Sequence, residues 1–557
     1  MIKSVCIQLI VCACCVGTAQ GAVRYVIPEG TGDGTSWEEA AGDLQAMIDE
    51  SEEGDEVWVA AGIYTPSTLI KDNRPTSRSF ILKDGVSLYG GFVGNESSPS
   101  ERERLDDKTY SFANVTILDG DDETADEWVR QISPGTTYRW DWQLEGSEVT
   151  GTKNNASHLL YCGEEFLSPT TIDGFTIRGG NANVYQAKAA GGGVYALGDV
   201  TIQNCRLIEN SAYYSPENIY DSNTYGGAVH LNGGRMTGCL ISKAYCHSGY
   251  GNGYGGGVYG INATIEGCEF EDCVALDGGG GVYLEGGSLR ECSFLRCYGS
   301  SGGAVYNYGG TVENITVYDC RALVGGGVSN EGQLLNALIA NCYADAEDFG
   351  DSLGGRGGGL LCRSGDAVNC AVFNCTSFNG GGVCMEGGQL INSTVVNNRA
   401  RATASPANLY GSTADVYNTI YGDDTDFSNF KSVPEFAGWT PDELKGAEIR
   451  LADLSLRKGS QYIDTGEIFK PYHQGVDLAG NVRMSGDYID RGAYEWQVST
   501  GIENIPDGTG DGLREILSVE YVNAQGMRSH RPFKGVNIVT TVYRDGSRTI
   551  KKIMKQQ

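Results

Sequence analysis

The chain has 557 residues, among them 81 glycines and 31 tyrosines, and its 71 acidic against 41 basic residues leave a net charge of −30. A field of that sign repels nucleic acid and anionic membrane surfaces, and it disfavours polyanionic glycans unless a cation such as calcium bridges them. The length allows a long core, and the glycine and tyrosine content suits turn-rich β structure rather than a helical bundle.

Residues 1–21, MIKSVCIQLIVCACCVGTAQG, read as a signal peptide. Lys3 supplies the positive start, Ile7–Val16 the apolar core, and Ala19-Gln20-Gly21 a small-x-small cleavage site. That core is too short to span a membrane, and no other apolar segment reaches the roughly 18 residues a spanning helix needs. Residues 22–120 hold an N-terminal cap and the first coils of a repeating fold. Ser36-Trp37-Glu38-Glu39 has the capping-box pattern, and Trp37, Ala40, Ala41, Leu44, Met47 and Ile48 give one apolar helical face. EVWVAAGIYTP (56–66) and SFILKDGVSLYGGFVG (79–94) read as first strands, followed by VTILDGD (115–121) and TTIDGFTIRGG (170–180). Between the last two lies a long excursion, 121–157, which carries Trp140 and Trp142.

Residues 158–425 are repeats. The apolar residue after each glycine cluster falls at Val194, Val229, Val258, Val282, Val305, Val328, Leu360 and Val383, with spacings of 35, 29, 24, 23, 23, 32 and 23. A base period of 23–24 residues marks a solenoid. Each unit runs from two or three glycines into Val-Tyr or Val-His, through a short turn, into a frame such as CRLIEN (205–210), CEFEDC (268–273), CSFLRC (292–297) or CAVFNC (370–375). These are short β-prone pieces bounded by Gly, Asn and Asp, without helical periodicity. The implied fold class is all-β: a right-handed parallel β-helix with about three short strands per coil, an N-terminal helical cap and a small C-terminal β domain. Such stacking places like residues in columns. Three units carry extra residues just before their glycines, at one corner: 211–225, 244–254 and 343–356.

Residues 426–496 form a closing module built on LADLSLRKGSQYIDTG (451–466) and DLAGNVRMSGDYIDRGAYEW (477–496). Residues 497–515 are a Gly/Asp-rich linker, and 516–557 a short β-prone unit with a basic end, an address or anchor more than a catalytic domain.

Fourteen of the 18 cysteines lie beyond residue 25, and most fall into two columns. One is Cys205, Cys239, Cys268, Cys292 and Cys370, with Ile315, Ala337 and Ser393 at equivalent places. The other is Cys273, Cys297, Cys320, Cys342 and Cys375, with Asn210 and Asn398 at the ends. Exchange with Ile, Ala, Ser and Asn marks packing positions, where a free cysteine acts as a small hydrophobe. Disulfides are the second reading, given an exported chain. A zinc site is the third, since C-x4-C with five dispersed histidines is a poor zinc pattern.

GGAVH (226–230), GGAVY (302–306), FLRC (294–297) and LIEN (207–210) resemble the repeats of polymorphic outer-membrane proteins and related right-handed β-helix surface proteins. SQYIDTG (460–466), DLAGNVR (477–483) and IDRGAYE (489–495) resemble the choice-of-anchor Q family. YVNAQGMR (521–528), KGVNIV (534–539) and the basic end are similar to the C-terminal sorting domain of the type IX secretion system of Bacteroidetes. The resemblance implies export to the cell surface, outer membrane or medium, with the secretion machinery as partner of the tail. It implies no particular activity.

The candidate ligand-binding edge is therefore what interrupts the repeat. Tyr213, Tyr214, Tyr220, Tyr225, Tyr250 and Tyr254 come from the first two long loops, and Trp140 and Trp142 from the excursion. Flat aromatic faces suit sugar rings. Asp345, Glu347, Asp348 and Asp351 of the third loop have the oxygen chemistry of a calcium site, although the fold itself needs no cofactor. Arg356 and His247 are the basic loop residues nearest that set and read as ordinary surface side chains. Asp477 and Asp490 lie in turn frames that favour backbone hydrogen bonding. Three readings stay open: solvated loops on a structural spacer, a non-catalytic adhesin or glycan-binding module, and a calcium-assisted polysaccharide lyase or hydrolase. Hydrolysis needs two convergent carboxylates, and no such pair stands out.

Overall fold

The computed structural model describes residues 21–70, 74–121, 154–183, 189–214, 223–248, 252–344, 355–432, 453–468, 475–486 and 488–497, and the backbone strands of 516–555. It divides into two units, Met1–Gln497 and Val498–Gln557.

The first unit is a parallel β-helix. Its coils stack in register on the residues that anchor the sequence repeat: Val194 pairs with Val229, Val229 with Val258, and so on through Val282, Val305, Val328, Leu360 and Val383. The sequence reading expected about three short strands per coil; the coils of Val194, Val305 and Val328 have three, two faces running on as one strand, and the other anchored coils have four. In one coil these are Val282–Glu285, Ser288–Arg290, Ser293–Leu295 and Tyr298–Ser301, here called the first to fourth faces. The extra break has a physical cause. The residues just before the ladder positions are left-handed, among them Asn204, Glu209, Lys243, Asp272, Glu291 and Arg296, with φ between 50 and 56°. One such residue turns the chain between the second and third faces, and another between the third and fourth.

The corner from the fourth face to the first belongs to the glycines. A Cβ on Gly280 would lie 2.2 Å from the Gly303 carbonyl oxygen of the next coil, and one on Gly303 2.2 Å from that of Gly326. Only glycine lets those backbones approach so closely. The interior is apolar and columnar. Val194, Val229, Val258 and Val282 line it from the first face, and Phe270 and Phe294 stack at 4.7 Å from the third.

Toward the N-terminus the second face continues through Phe166–Asp173, Ser87–Phe92 and Glu56–Ala60 to Val23–Val26. The helix Leu44–Glu50 packs Leu44, Met47 and Ile48 onto the core, as its apolar face requires. Its N-cap is Asp43, whose Oδ1 accepts from the Ala46 N–H at 3.0 Å. The capping box expected at Ser36 is corrected on this point: Ser36 Oγ accepts from Glu39 N in an isolated turn, ahead of the helix. Residues 93–115 leave the coil and lie along the solenoid, where Arg102 pairs with buried Asp173 at 3.3 Å and Tyr110 donates to Glu269 at 3.0 Å.

The closing module lies on the outside of the third face. Phe430, Leu454, Leu456, Ala493 and Tyr494 form a second apolar cluster with Tyr318, Ala340, Ala371, Phe373 and Val396. The second unit is a four-stranded antiparallel sheet of Ile516–Asn523, Arg528–Ser529, Gly535–Tyr543 and Arg548–Lys555. Among the described residues no helix is long and apolar enough to cross a membrane.

Candidate functional site

The residue after each first-face anchor points outward. In successive coils it is Tyr161, Tyr195, His230, Tyr259, Tyr283 and Tyr306, paired across neighbouring strands. Strand stacking brings these rings into one continuous column. Centroids are 5.4 Å apart for Tyr161–Tyr195, 4.9 Å for Tyr195–His230, 5.6 Å for His230–Tyr259, 5.3 Å for Tyr259–Tyr283 and 4.9 Å for Tyr283–Tyr306. The rings are nearly parallel, between 8 and 23°. His158 closes one end, its Nδ1 2.9 Å from the Gly191 carbonyl oxygen, and burial lowers its pKa to about 4.

Face-to-face stacking has a chemical consequence. Rings inside the column spend both faces on their neighbours, and Tyr161, His230 and Tyr259 are buried, so only Tyr195, Tyr283 and Tyr306 are partly exposed. The Tyr259 hydroxyl donates to Glu285 Oε2 at 2.6 Å, and that of Tyr306 to Glu331 Oε1. Burial pushes the pKa of Tyr195, Tyr259, Tyr283 and Tyr306 up, and the adjoining carboxylates push Tyr259 and Tyr306 the same way. These phenols stay protonated and donate. They are poor bases for abstracting a sugar proton.

A second row stands beside the first. Tyr225 and Tyr254, half-buried on Thr224–Tyr225 and Gly253–Tyr254, are tilted at 59° against Tyr259 and Tyr283 with centroids 4.8 and 5.0 Å away. At its foot burial raises the pKa of Asp277, whose carboxylate accepts from Gly253 N.

The candidate residues divide accordingly. Tyr225 and Tyr254 come together and join the ladder. Tyr213 does not belong to a ligand edge, and the expectation is corrected: it is 6% exposed on Ser211–Tyr214, in a cluster with Tyr245 and Val274. Its position is a strand position of the fourth face, and the insertion begins only after that strand. His247 is corrected for the same reason. It is 7% exposed on Tyr245–Ser248 beside Tyr213 and Tyr245, and burial lowers its pKa to about 4. Arg356 pairs with Glu386 at 2.5 Å. The side chain of Tyr214 lies outside the described residues, as do Tyr220, Tyr250, Trp140, Trp142 and the calcium candidates Asp345, Glu347, Asp348 and Asp351. Among the described residues no group of three or more His, Cys, Asp or Glu gathers to hold a metal.

The ladder cysteines occupy the two inward corner columns, each buried and free. They accept weak hydrogen bonds across coils: Cys205 N donates to Cys239 Sγ, Cys268 N to Cys292 Sγ and Cys297 N to Cys320 Sγ, all at 3.4 Å. Where the column changes residue the bond persists, from Cys370 N to Ser393 Oγ at 3.1 Å and from Cys375 N to Asn398 Oδ1 at 2.9 Å. Burial raises the pKa of Cys239, Cys273, Cys292, Cys320 and Cys342, and brings that of Cys370 to about 12. Hydrogen bonds from neighbouring ladder thiols shift Cys268 and Cys297 the other way, so it is burial that keeps the columns from reagents.

The closing module holds a buried charged group. Arg483 is fully buried, with Glu495, Asp477 and Asp490 around it. Asp477 and Asp490 bind backbone, as their turn frames predicted: Asp477 accepts from Asn481 N at 2.7 Å and Glu495 N at 2.7 Å, and Asp490 from Asp464 N at 2.7 Å. Burial raises the Glu495 pKa to about 7.

No family model matches the chain, and no curated protein matches it. Among solved structures it overlaps the crystal structure of pectate lyase Pel9A with a TM-score of 0.32 and 14% identity, over 86% of this chain and 97% of that one.

Proposed function

We propose that this chain is an exported surface β-helix that binds polysaccharide without cleaving it, along the first face and parallel to the solenoid axis. The observation that carries the reading is the unbroken ladder from Tyr161 to Tyr306. A polymer repeats, and a column of rings about 5 Å apart, the strand spacing, is a repeating feature of matching kind. Chains with extended backbones advance by a similar step per sugar. The signal peptide, the closing-module resemblance and the sorting-like tail support delivery to the cell surface or the medium, where glycans of a host or neighbouring community are the partners.

The chemistry of the face favours binding over cleavage. Phenols with raised pKa values are weak bases, and hydrolysis requires an acid and a base placed on opposite sides of one bond. The test is incubation of residues 22–497 with neutral and acidic polysaccharides, with and without calcium, followed by gel filtration. Co-elution with polymers of unchanged size is expected. A fall in polymer size overturns the reading in favour of a lyase or hydrolase. Absence of any co-elution overturns it in favour of a structural spacer.

A further inference from the structure

The closing module keeps more charge inside than it balances. Asp477, Asp490 and Glu495 are 1, 1 and 5% exposed, and Arg483 among them is 0% exposed. The guanidinium reaches none of the three carboxylates. Its Nη2 donates to the Gly492 and Asn392 carbonyls, and its Nε and Nη1 have no hydrogen-bond partner among the described residues. We infer that the closing module is a pH-sensitive clasp on the outer third face, shut while one of the three buried carboxyls carries a proton and loosened once all three are ionised.

Three observations place the device at the joint. The stretch that carries the charges also makes the bonds to the solenoid: Ala493 N donates to Thr394 Oγ1 at 2.9 Å, Gly492 N to the Asn418 carbonyl at 2.8 Å, and Arg483 Nη2 to the Asn392 carbonyl at 3.4 Å. The carboxylates hold that stretch in shape through backbone N–H groups. Asp477 accepts from Glu495 N at 2.7 Å, Glu495 Oε2 from Asp490 N at 3.0 Å and Glu495 Oε1 from Ser485 N at 3.2 Å. Beside them Ala493 and Tyr494 belong to the apolar cluster with Tyr318, Phe373 and Val396. A change of charge at Glu495 is therefore felt where the module meets the third face.

The charges set the direction. Around Glu495 stand Asp490, Asp477 and Arg483, and Asp464 faces Asp490 from the neighbouring segment. The solenoid residues that bond to the module here, Asn369, Asn392, Thr394 and Asn418, are neutral. Ionising all three carboxyls thus buries negative charge that a single guanidinium does not balance, and buried charge of that kind is costly. Burial raises the pKa of Glu495 from 4.5 to about 7, and that of Asp490 in the same direction. A carboxyl whose folded pKa is raised adds stability that is whole below its unfolded value and is lost as the pH rises through the folded one. The clasp is therefore shut in mild acid and loosens above about pH 7.

The experiment is hydrogen exchange read by mass spectrometry on the mature chain at pH 5.5 and 8.0. Peptides of the module, 453–466 and 488–497, are compared with residues 282–301 of a complete coil, which corrects for the rise of chemical exchange with pH. The module should gain about tenfold on the coil between the two pH values, the size expected of one carboxyl shifted this far once screening is allowed for. Glu495→Gln should abolish that gain and keep the module protected at both. Equal change of module and coil in the wild type overturns the inference. A gain that persists in Glu495→Gln overturns the assignment to this cluster. A module already open in Glu495→Gln at pH 5.5 overturns it as well, since a neutral side chain is what the shut form holds.

Discussion

The inward corners and the outward first face are made by the same coil, yet they follow different rules. Along one corner column the residue changes from Cys292 to Ile315, Ala337, Cys370 and Ser393, and the fold absorbs every change. What is held there is burial, and where Cys or Ser stands the side chain also accepts from the N–H of the preceding coil. Along the outward column Tyr195, His230, Tyr259, Tyr283 and Tyr306 are all planar rings, of which Tyr195, Tyr283 and Tyr306 are partly exposed. A core needs filling and accepts any residue that fills it. A display surface needs a particular chemistry, and volume alone does not replace it.

The sharpest way to break that comparison is to cut one ring from each side. Phe294 is 1% exposed and stacked on Phe270 inside the barrel, so Phe294→Ala should cost about 3–5 kcal/mol. Tyr283→Ala removes a half-buried ring and should cost about 1 kcal/mol, the worth of an aromatic stack with little burial behind it. Denaturant unfolding of residues 22–497 reads both. Equal losses would show the ladder to be part of the core, and the binding reading would lose its main support.

The closing module, which packs on the third face, gives the next effect. Glu495 has its pKa raised from 4.5 to about 7 by burial, so the folded state holds its proton more tightly than the unfolded chain does. The stability this contributes is full below pH 4.5 and is lost as the pH rises to about 7. The loss should be about 2 kcal/mol once screening by solvent and by Arg483 is allowed for. Glu495→Gln should flatten the change between pH 5 and 8. A wild-type profile already flat would show that Arg483 fully compensates the carboxylate.

The period carried most of the fold. Like residues at 23–24-residue spacing announced the stack, and the anchors Val194 to Val383 pair as that spacing requires. In the coils that have a fourth strand its boundary was not legible, because it is a left-handed residue that can be Asn, Asp, Glu, Lys, Arg or Gly, and those types carry no common signal. The site was half legible. Val-Tyr and Val-His were visible as part of the repeat, but a repeated motif looks structural. The loops stand out instead, because they interrupt the repeat. Strand pairing turns the repeated tyrosines into a surface, and only the stack shows that their faces are occupied. Tyr213 misled for the opposite reason: it adjoins an insertion, but its own position is a strand.

The thiols test the corner rule directly. All 14 described cysteines are buried and free, so a soluble disulfide reagent should modify none of them in the folded protein and all of them in denaturant. Cys297→Ala should cost about 1–2 kcal/mol, the loss of a small buried group and of the bond from Cys297 Sγ into its column. Rapid reaction of the folded protein would mean that the columns open.

The smallest effect concerns the residues just before those cysteines. Glu291 sits in the left-handed region at φ 54°, is exposed, and takes part in no ion pair among the described residues. Its backbone N–H donates to the Glu313 carbonyl of the next coil at 3.1 Å, a bond that any residue in this conformation makes. The side chain therefore brings strain to the turn and no contact to offset it. Asparagine tolerates this conformation and fills the equivalent places at Asn314, Asn336 and Asn369, where the amides also bond from coil to coil, Asn336 to Asn314 at 3.1 Å and Asn369 to Asn336 at 3.0 Å. Glu291→Asn should add about 1 kcal/mol, by relieving strain and by extending that amide column one coil toward the N-terminus. Lys243 and Arg296 share the conformation but hold ion pairs, Lys243 with Glu209 at 2.7 Å and Arg296 with Asp272 at 2.8 Å, so the same change there should gain less. A loss of stability in Glu291→Asn would show that the corner is set by the outward charge of its side chain and not by backbone conformation.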